Sequence, residues 1–290
     1  MISKNHIKQI EVLLNKEKII NYDLLQVSFN IACIKFEIAN NKKYISKFFI
    51  EKKNIFNAIN SETDNLIYLN SKFNFFPKVI KSNDNFLIME YFENDKDKPN
   101  STNLDFLESI IKIHSVSNKL FGFNFNTQVG AIEQINNYEN NWVDFYSNYR
   151  LNDMLEIANK KENLGKVIND KILLVLNNMK NLIPGNPTPL LLHGDLWEGN
   201  ILFKKNKFIG FIDPGSFFGH NEMEVAYLRW FNPSFVDTNF LDKYNNQILL
   251  DKNYLSYEPI YQLYYALCNV ALWDSSYIKE VKKLLSKIKI

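Results

Sequence analysis

The sequence predicts an α+β chain of two lobes, a small β-rich N-terminal lobe over residues 1–93 and a larger, mostly helical lobe over residues 94–290. Three observations lead there. Period-two apolar runs crowd the first ninety residues. After the polar run at 93–101 the apolar period becomes helical, which makes that run the boundary. Finally, residues 190–213 read as an apolar strand, a tight polar loop and a β-hairpin in succession.

Taken in order, residues 3–20 place Ile7, Ile10, Val12, Leu13 and Leu14 at helical spacing, so a first amphipathic helix is expected. From Leu24 the period changes. Residues 24–29, 32–39 and 43–50 read as three strands, with Asn40-Asn41 in the second turn. Residues 55–69 read as a helix carrying Glu62, and 76–81 and 85–92 as two further strands. Beyond the boundary, 103–114, 139–149, 153–159 and 165–182 read as helices, and Pro184-Gly-Asn-Pro-Thr-Pro189 ends the run. After Asp213, helices are expected at 222–230, 239–248, 257–273 and 277–288.

The chemistry concentrates in Leu190-Leu-Leu-His193-Gly-Asp195-Leu-Trp-Glu-Gly-Asn200-Ile-Leu-Phe and Phe208-Ile-Gly-Phe-Ile-Asp213-Pro-Gly. An Asp, four intervening residues, an Asn, and an Asp at the end of the following hairpin is the pattern of kinase-like phosphotransferases. One carboxylate, Asp195, orients and deprotonates an attacking hydroxyl. Asn200 and Asp213 offer the oxygen ligands that Mg²⁺ prefers when it bridges the phosphates of ATP. Kinase-type transfer also needs a cation on those phosphates, itself held by an acid. Lys47, near the end of the third strand, and Glu62, on the helix after it, fit that pair. Glu90, Tyr91 and Phe92 fall at the lobe junction, where an adenine would meet the backbone. The turn between the first two strands, Ser28-Phe-Asn30-Ile, has no glycine, which leaves Ser28 and Asn30 to make any nucleotide contacts there. A protein-kinase-like architecture with its site in the cleft between lobes is expected.

Composition narrows the alternatives. A net charge of +2 implies no strong attraction to nucleic acid or to anionic membranes. Two cysteines, Cys33 and Cys268, suit a reducing compartment and exclude a disulfide framework. No apolar run reaches membrane-spanning length, and residues 1–8 lack the core of a signal peptide, so a soluble cytoplasmic protein is expected. His220-Asn-Glu222 echoes the H-x-E of zinc deaminases, but no paired cysteines follow. Asp195 and Asp213 as a glycosidase pair would leave Asn200, Lys47 and Glu62 idle.

Four ordered segments together resemble the fructosamine kinase (ketosamine-3-kinase) family, a branch of the aminoglycoside phosphotransferase-like fold. His193-Gly-Asp-Leu-Trp197-Glu-Gly-Asn200 is similar to its H-G-D-L-W-x-G-N. Residues 212–224 resemble its D-P-A-x-Y-Y-G-H-R-E-x-D, with Gly215 for the usual Ala and Glu224 for the usual Asp. Phe121-Gly through Trp142-Val-Asp-Phe-Tyr146 and Arg150-Leu151 resembles its G-F … N-T … W-x-x-F-Y … R-L segment. Tyr261-Gln-Leu-Tyr-Tyr265 is similar to its Y-x-L-Y-Y helix. The resemblance implies an ATP- and Mg²⁺-dependent kinase acting on a small ketosamine or glycated amine. It implies phosphorylation at the sugar's third carbon and release of the amine as a repair step. His193 would brace the catalytic loop, and Trp197, His220 and Glu222 are candidates for acceptor binding. The alternatives are a kinase of the same fold acting on an aminoglycoside, a choline-like acceptor or a free sugar, or a non-catalytic nucleotide-binding relative.

Overall fold

The computed structural model describes residues 2–51, 56–95 and 97–290. Helix α1 (Lys4–Leu13) precedes strands β1 (Ile19–Ser28), β2 (Ile31–Ile38) and β3 (Lys43–Phe49). Ser3 caps α1, accepting from His6 N while His6 Nδ1 accepts from Ser3 N. Asn15 and Lys16, both at positive φ, end the helix well short of residue 20, and the chain enters β1 five residues before Leu24. Helix α2 (Ala58–Asn70) follows, then β4 (Val79–Asn83) and β5 (Phe86–Glu90). The first predicted residue of α2, Ile55, lies outside the described residues. Every neighbouring pair of the sheet β1-β2-β3-β5-β4 is antiparallel.

Strict alternation in β2 sorts its side chains by face. Ala32, Ile34, Phe36 and Ile38 are buried and pack with Ile10, Leu14, Phe48, Phe86 and Ile88, so α1 covers one side of the sheet. The β1–β2 connection is a two-residue turn in which Phe29 (φ 51°) and Asn30 (φ 66°) both stand in the left-handed region. Such turns favour glycine. Here Asn30 anchors the conformation instead, since its Oδ1 accepts from Glu51 N and its Nδ2 donates to Glu51 O.

After β5 the chain is mostly helical. Helix α3 (Leu104–His114) leads to a hairpin of β6 (Thr127–Val129) and β7 (Ile132–Gln134), which has no counterpart in the sequence-based expectation because each strand is three residues long. Helix α4 (Trp142–Tyr146) runs through a π-helical stretch, Ser147–Asn152, into α5 (Asp153–Lys161), and α6 (Lys166–Leu182) follows. Strand β8 (Leu190–Leu192) precedes the hairpin of β9 (Ile201–Lys204) and β10 (Lys207–Phe211). Strand β11 (Phe217–Gly219) then returns to pair with β8. Helices α7 (Asn221–Phe231), α8 (Phe240–Asn245), α9 (Tyr254–Leu272) and α10 (Ile278–Lys287) complete the chain.

The contacts divide the chain into two compact units, residues 1–97 with 201–214, and residues 98–200 with 215–290. The β9–β10 hairpin therefore belongs with the N-terminal sheet. Phe211 and Phe208 pack on Phe75 and Phe76, and Phe211 N donates to Phe75 O at 2.9 Å. Helix α9, buried along nearly its whole length, is the centre of the second unit. Trp142 Nε1 and Tyr146 Oη tie α4 to it through Tyr261 Oη and Ile260 O. Arg150 is fully buried there, and among the described residues no carboxylate pairs with it. Its guanidinium lies over Phe217 at 4.0 Å and Phe145 at 4.7 Å and donates to Ile135 O, Tyr149 O and Asn136 Oδ1. Among the described residues no helix is long and apolar enough to cross a membrane.

Candidate active site

In the first unit, β3, α2 and the end of the β9–β10 hairpin converge on Lys47. Its ammonium lies 2.8 Å from both carboxylate oxygens of Glu62 and 2.6 Å from Asp213 Oδ1. Glu62 is 3% exposed, whereas the Asp213 side chain keeps 41% of its surface open. Burial alone would discharge Lys47, but Asp213 and Glu62 outweigh it and hold the amine well above its usual range. Burial raises Glu62, against the pull of Lys47. Asp213 itself takes φ 56°, a left-handed conformation that sets its carboxylate apart from the strand line of β10. Cys33 stands opposite Lys47 in the β2–β3 register, and burial pushes its thiol up to about 12.

The other first-unit candidates are placed as follows. Gln26 Nε2 donates to Ser28 Oγ at 2.9 Å, and Asn30 is committed to the Glu51 backbone. Glu90 ends β5 and exchanges hydrogen bonds with Lys78, its N reaching Lys78 O and its Oε2 accepting from Lys78 N. The Tyr91 ring lies under the Lys35 ammonium at 5.7 Å. Phe92 packs so closely on Gly210 that a Cβ there would lie 2.5 Å from the ring.

In the second unit, the loop after β8 is built on Glu224 of α7. One carboxylate oxygen accepts from Gly194 N at 2.6 Å, and the other from His193 N at 3.0 Å and from His114 Nε2 at 2.9 Å. Burial works against this carboxylate, yet the His114 hydrogen bond, the charges of His114 and His193 and the Gly194 N–H together hold it below its usual range. His114 in turn meets Tyr244 Oη at 2.6 Å. Gly194 adopts φ 89°, and a Cβ on it would fall 2.0 Å from Gly215 O, while one on Gly215 would fall 1.9 Å from Gln128 O. The two glycines are thus stacked in a space with no room for a methyl group, and Gly215 N donates to His193 O at 2.9 Å. This explains the glycine at position 215.

The clamp delivers Asp195. Asp195 N donates to His193 Nδ1 at 3.3 Å, and Asn200 Nδ2 donates to Asp195 O at 2.8 Å and lies 3.3 Å from its Oδ2. Trp197 lies over Gly199, where a Cβ would come within 2.4 Å of the indole, and packs against Phe231 at 5.4 Å. His220 and Glu222 are buried in the helical core. His220 Nδ1 meets Tyr261 Oη at 2.8 Å, and Glu222 accepts from Asp251 N at 2.5 Å and from Tyr257 Oη. The structure therefore groups Lys47, Glu62 and Asp213 in one cluster and His193, Asp195 and Asn200 in another, and sets His220 and Glu222 among core tyrosines. Sequence reasoning gave Glu224 no role beyond its replacement of Asp, and His114 none at all. The available signal was a buried-type acid eleven residues after Asp213 and a His in the last turn of an amphipathic helix.

The family model for fructosamine kinase matches residues 15–290. The chain belongs to the fructosamine kinase family. A probable ketoamine kinase of Enterococcus faecium is 30% identical over 201 residues, which is 69% of this chain and 70% of that one. The chloroplastic protein-ribulosamine 3-kinase of Arabidopsis thaliana is 29% identical over 198 residues, 66% of this chain and 58% of that one. Among solved structures, a candidate fructosamine-3-kinase from Thermobifida fusca superposes with a TM-score of 0.86 at 21% identity, over 97% of both chains. That likeness, with those to aminoglycoside phosphotransferases, gives this family member a kinase-like α+β fold.

Proposed function

We propose that the chain is an ATP-dependent kinase that phosphorylates a sugar hydroxyl of a ketosamine, at the third carbon, in deglycation repair. One observation carries this reading: Lys47 is held protonated by a buried Glu62 and a half-open Asp213. A cation so fixed fits the phosphates of ATP, and an open carboxylate beside it fits the metal that accompanies them. Asp213 and the Asn200 amide oxygen are hard donors of the kind Mg²⁺ selects, and they are the residues that would hold it. Bound there, Mg²⁺ supplies charge neutralisation on the phosphate oxygens. Asp195 orients the acceptor hydroxyl and takes its proton, and positioning contributes most where the transition state is loose. His193 and Glu224 keep the loop in shape. Ser28, Asn30 and residues 90–92 line the nucleotide's path, and Trp197 stands on the acceptor side. A phosphate on the third carbon is a leaving group: once the adduct enolises, inorganic phosphate departs, and water hydrolyses the imine left at the first carbon, so that the amine leaves intact. The relatives' names, ketoamine and protein-ribulosamine kinase, support this acceptor class, and the free, separate cysteines suit the cytoplasm.

The test is phosphate transfer from ATP to a fructosamine and a ribulosamine, with free glucose, free lysine and an aminoglycoside run alongside. Transfer to the ketosamines with little to the others is expected. Equal transfer to free sugar would overturn the acceptor assignment.

A further inference from the structure

His114 is a buried titratable group that the proposed reaction leaves unused. It closes helix α3, is 1% exposed, and is held at both ring nitrogens. Nδ1 meets Tyr244 Oη of α8 at 2.6 Å, and Tyr244 Oη accepts in turn from Asn221 Nδ2 of α7 at 2.8 Å. Nε2 meets Glu224 Oε2 at 2.9 Å. The same Glu224 oxygen accepts from His193 N and the other from Gly194 N, the two residues that precede Asp195. An ionised carboxylate only accepts, so this contact requires a proton on His114 Nε2. All of these groups belong to the second unit. Three helices thus converge on one ring: α3 carries it, α8 pins its far nitrogen, and α7 accepts its hydrogen bond.

We propose that His114 is a positioning residue for Asp195: its Nε2–H fixes the rotation of the Glu224 carboxylate, and through it the backbone of the loop that delivers Asp195. The inference rests on the proposed role of Asp195 as the group that orients the acceptor. A glutamate carboxylate turns broadly about its last torsion. Here it must present one oxygen to each of two successive amides, and a narrow range of rotations does so. The third donor selects that range, because it comes from a ring that Tyr244 keeps from turning. The same charge-assisted bond favours the ionised form of Glu224, which burial opposes. Without it, Glu224 keeps two amide donors and loses the restraint on its plane. A peptide that tilts at 193–194 carries the Asp195 carboxylate with it, and a misplacement of about 1 Å costs on the order of 10²-fold in rate.

The experiment compares three variants. His114→Leu removes both ring nitrogens, His114→Gln offers an amide Nε2 in place of the imidazole one, and Tyr244→Phe releases the ring at Nδ1. Steady-state rates are measured for transfer to a fructosamine and for ATP hydrolysis without acceptor, with KM for ATP alongside. Hydrogen exchange at the His193 and Gly194 amides reports the loop directly. His114→Leu should lose about 10- to 100-fold in kcat in both reactions at nearly unchanged KM for ATP, and those two amides should exchange faster. His114→Gln should recover most of both, and Tyr244→Phe should fall between. Wild-type kcat in His114→Leu overturns the proposal, and so does wild-type exchange at the two amides. A His114→Gln protein as impaired as His114→Leu also overturns it, since the effect would then belong to ring packing. If His114→Leu does not fold, Tyr244→Phe decides, and wild-type kcat and exchange there overturn the proposal. A wild-type protein that hydrolyses ATP without phosphorylating fructosamine overturns the acceptor assignment, while hydrolysis and exchange still decide the role of His114. A wild-type protein inert in both reactions overturns the role of Asp195 and this one with it.

Discussion

One ammonium facing two carboxylates makes Lys47 the most consequential single side chain of the first unit. Lys47→Met removes the charge and leaves Glu62 buried beside Asp213 with no cation. Turnover should fall by about 10²-fold or more, since such clamps act in the transition state. The variant should also show a stronger pH dependence of stability than wild type, in which Lys47 opposes the rise of Glu62. Without Lys47, burial and the Asp213 charge both raise the folded-state pKa of Glu62 above its ordinary value near 4.5. The folded state then holds its proton longer than the unfolded chain, so stability is lost as pH rises above that value and recovers on acidification. Melting curves from pH 5 to 9 test this, and a constant difference from wild type across that range would refute it. At this scale the sequence was informative where chemistry dictates residue type. Lys47, Glu62 and Asp213 were expected from the groups that phosphoryl transfer needs, and the structure brings these three side chains together.

At the scale of elements, most helices and strands were readable from apolar period, and the exceptions have local causes. The β6–β7 hairpin is too short to show a period, and α1 ends early because two consecutive residues take positive φ. The loop after β8 was recognisable as polar and tight, but the reason for its shape lies on α7, thirty residues away, in a carboxylate that gathers three donors. Gly194 and Gly215 complete it by contact, not by any local motif. Gly215→Ala would push a methyl group to 1.9 Å from Gln128 O, so backbone must move. A loss of about 2–4 kcal/mol is expected, or roughly 3–7 °C in melting temperature for a chain of this size. Differential scanning calorimetry measures it directly, and a variant as stable as wild type would show that the loop absorbs the methyl by shifting.

For the molecule as a whole, the buried pair His220 and Glu222 sets part of the acid limit. Burial lowers His220 to about 3 from an ordinary value near 6.5, with the His114 charge assisting. Burial raises Glu222 to about 6 from near 4.5, against hydrogen bonds from Tyr257 and Asp251 N. For His220 the unfolded chain binds the proton first, so stability falls as pH drops from about 6.5 towards 3. For Glu222 the folded chain binds it first, so stability rises as pH drops from about 6 to 4.5. Each slope is about 1.4 kcal/mol per pH unit, and the two offset each other between about 4.5 and 6. The pair should therefore leave wild-type stability flat in that window and falling below it. Glu222→Gln should uncover a decline that begins near 6.5, visible in denaturation midpoints taken every half unit. Were the variant as flat as wild type from 4.5 to 6, the compensation would not exist.

The β9–β10 hairpin also bears on how the gene can be cut. The segment 201–214 that carries it completes the aromatic cluster of Phe73, Phe75 and Phe76, although it is encoded about 125 residues downstream of that cluster. A truncation after Asp97 would carry five strands and both helices yet leave those rings bare, and the fragment should aggregate. The N-terminal unit is thus not a cassette that recombination could lift out in one piece. Any exchange of this unit with a relative must carry two separate stretches of DNA, and the second lies inside the segment that also encodes Asp195 and Asn200.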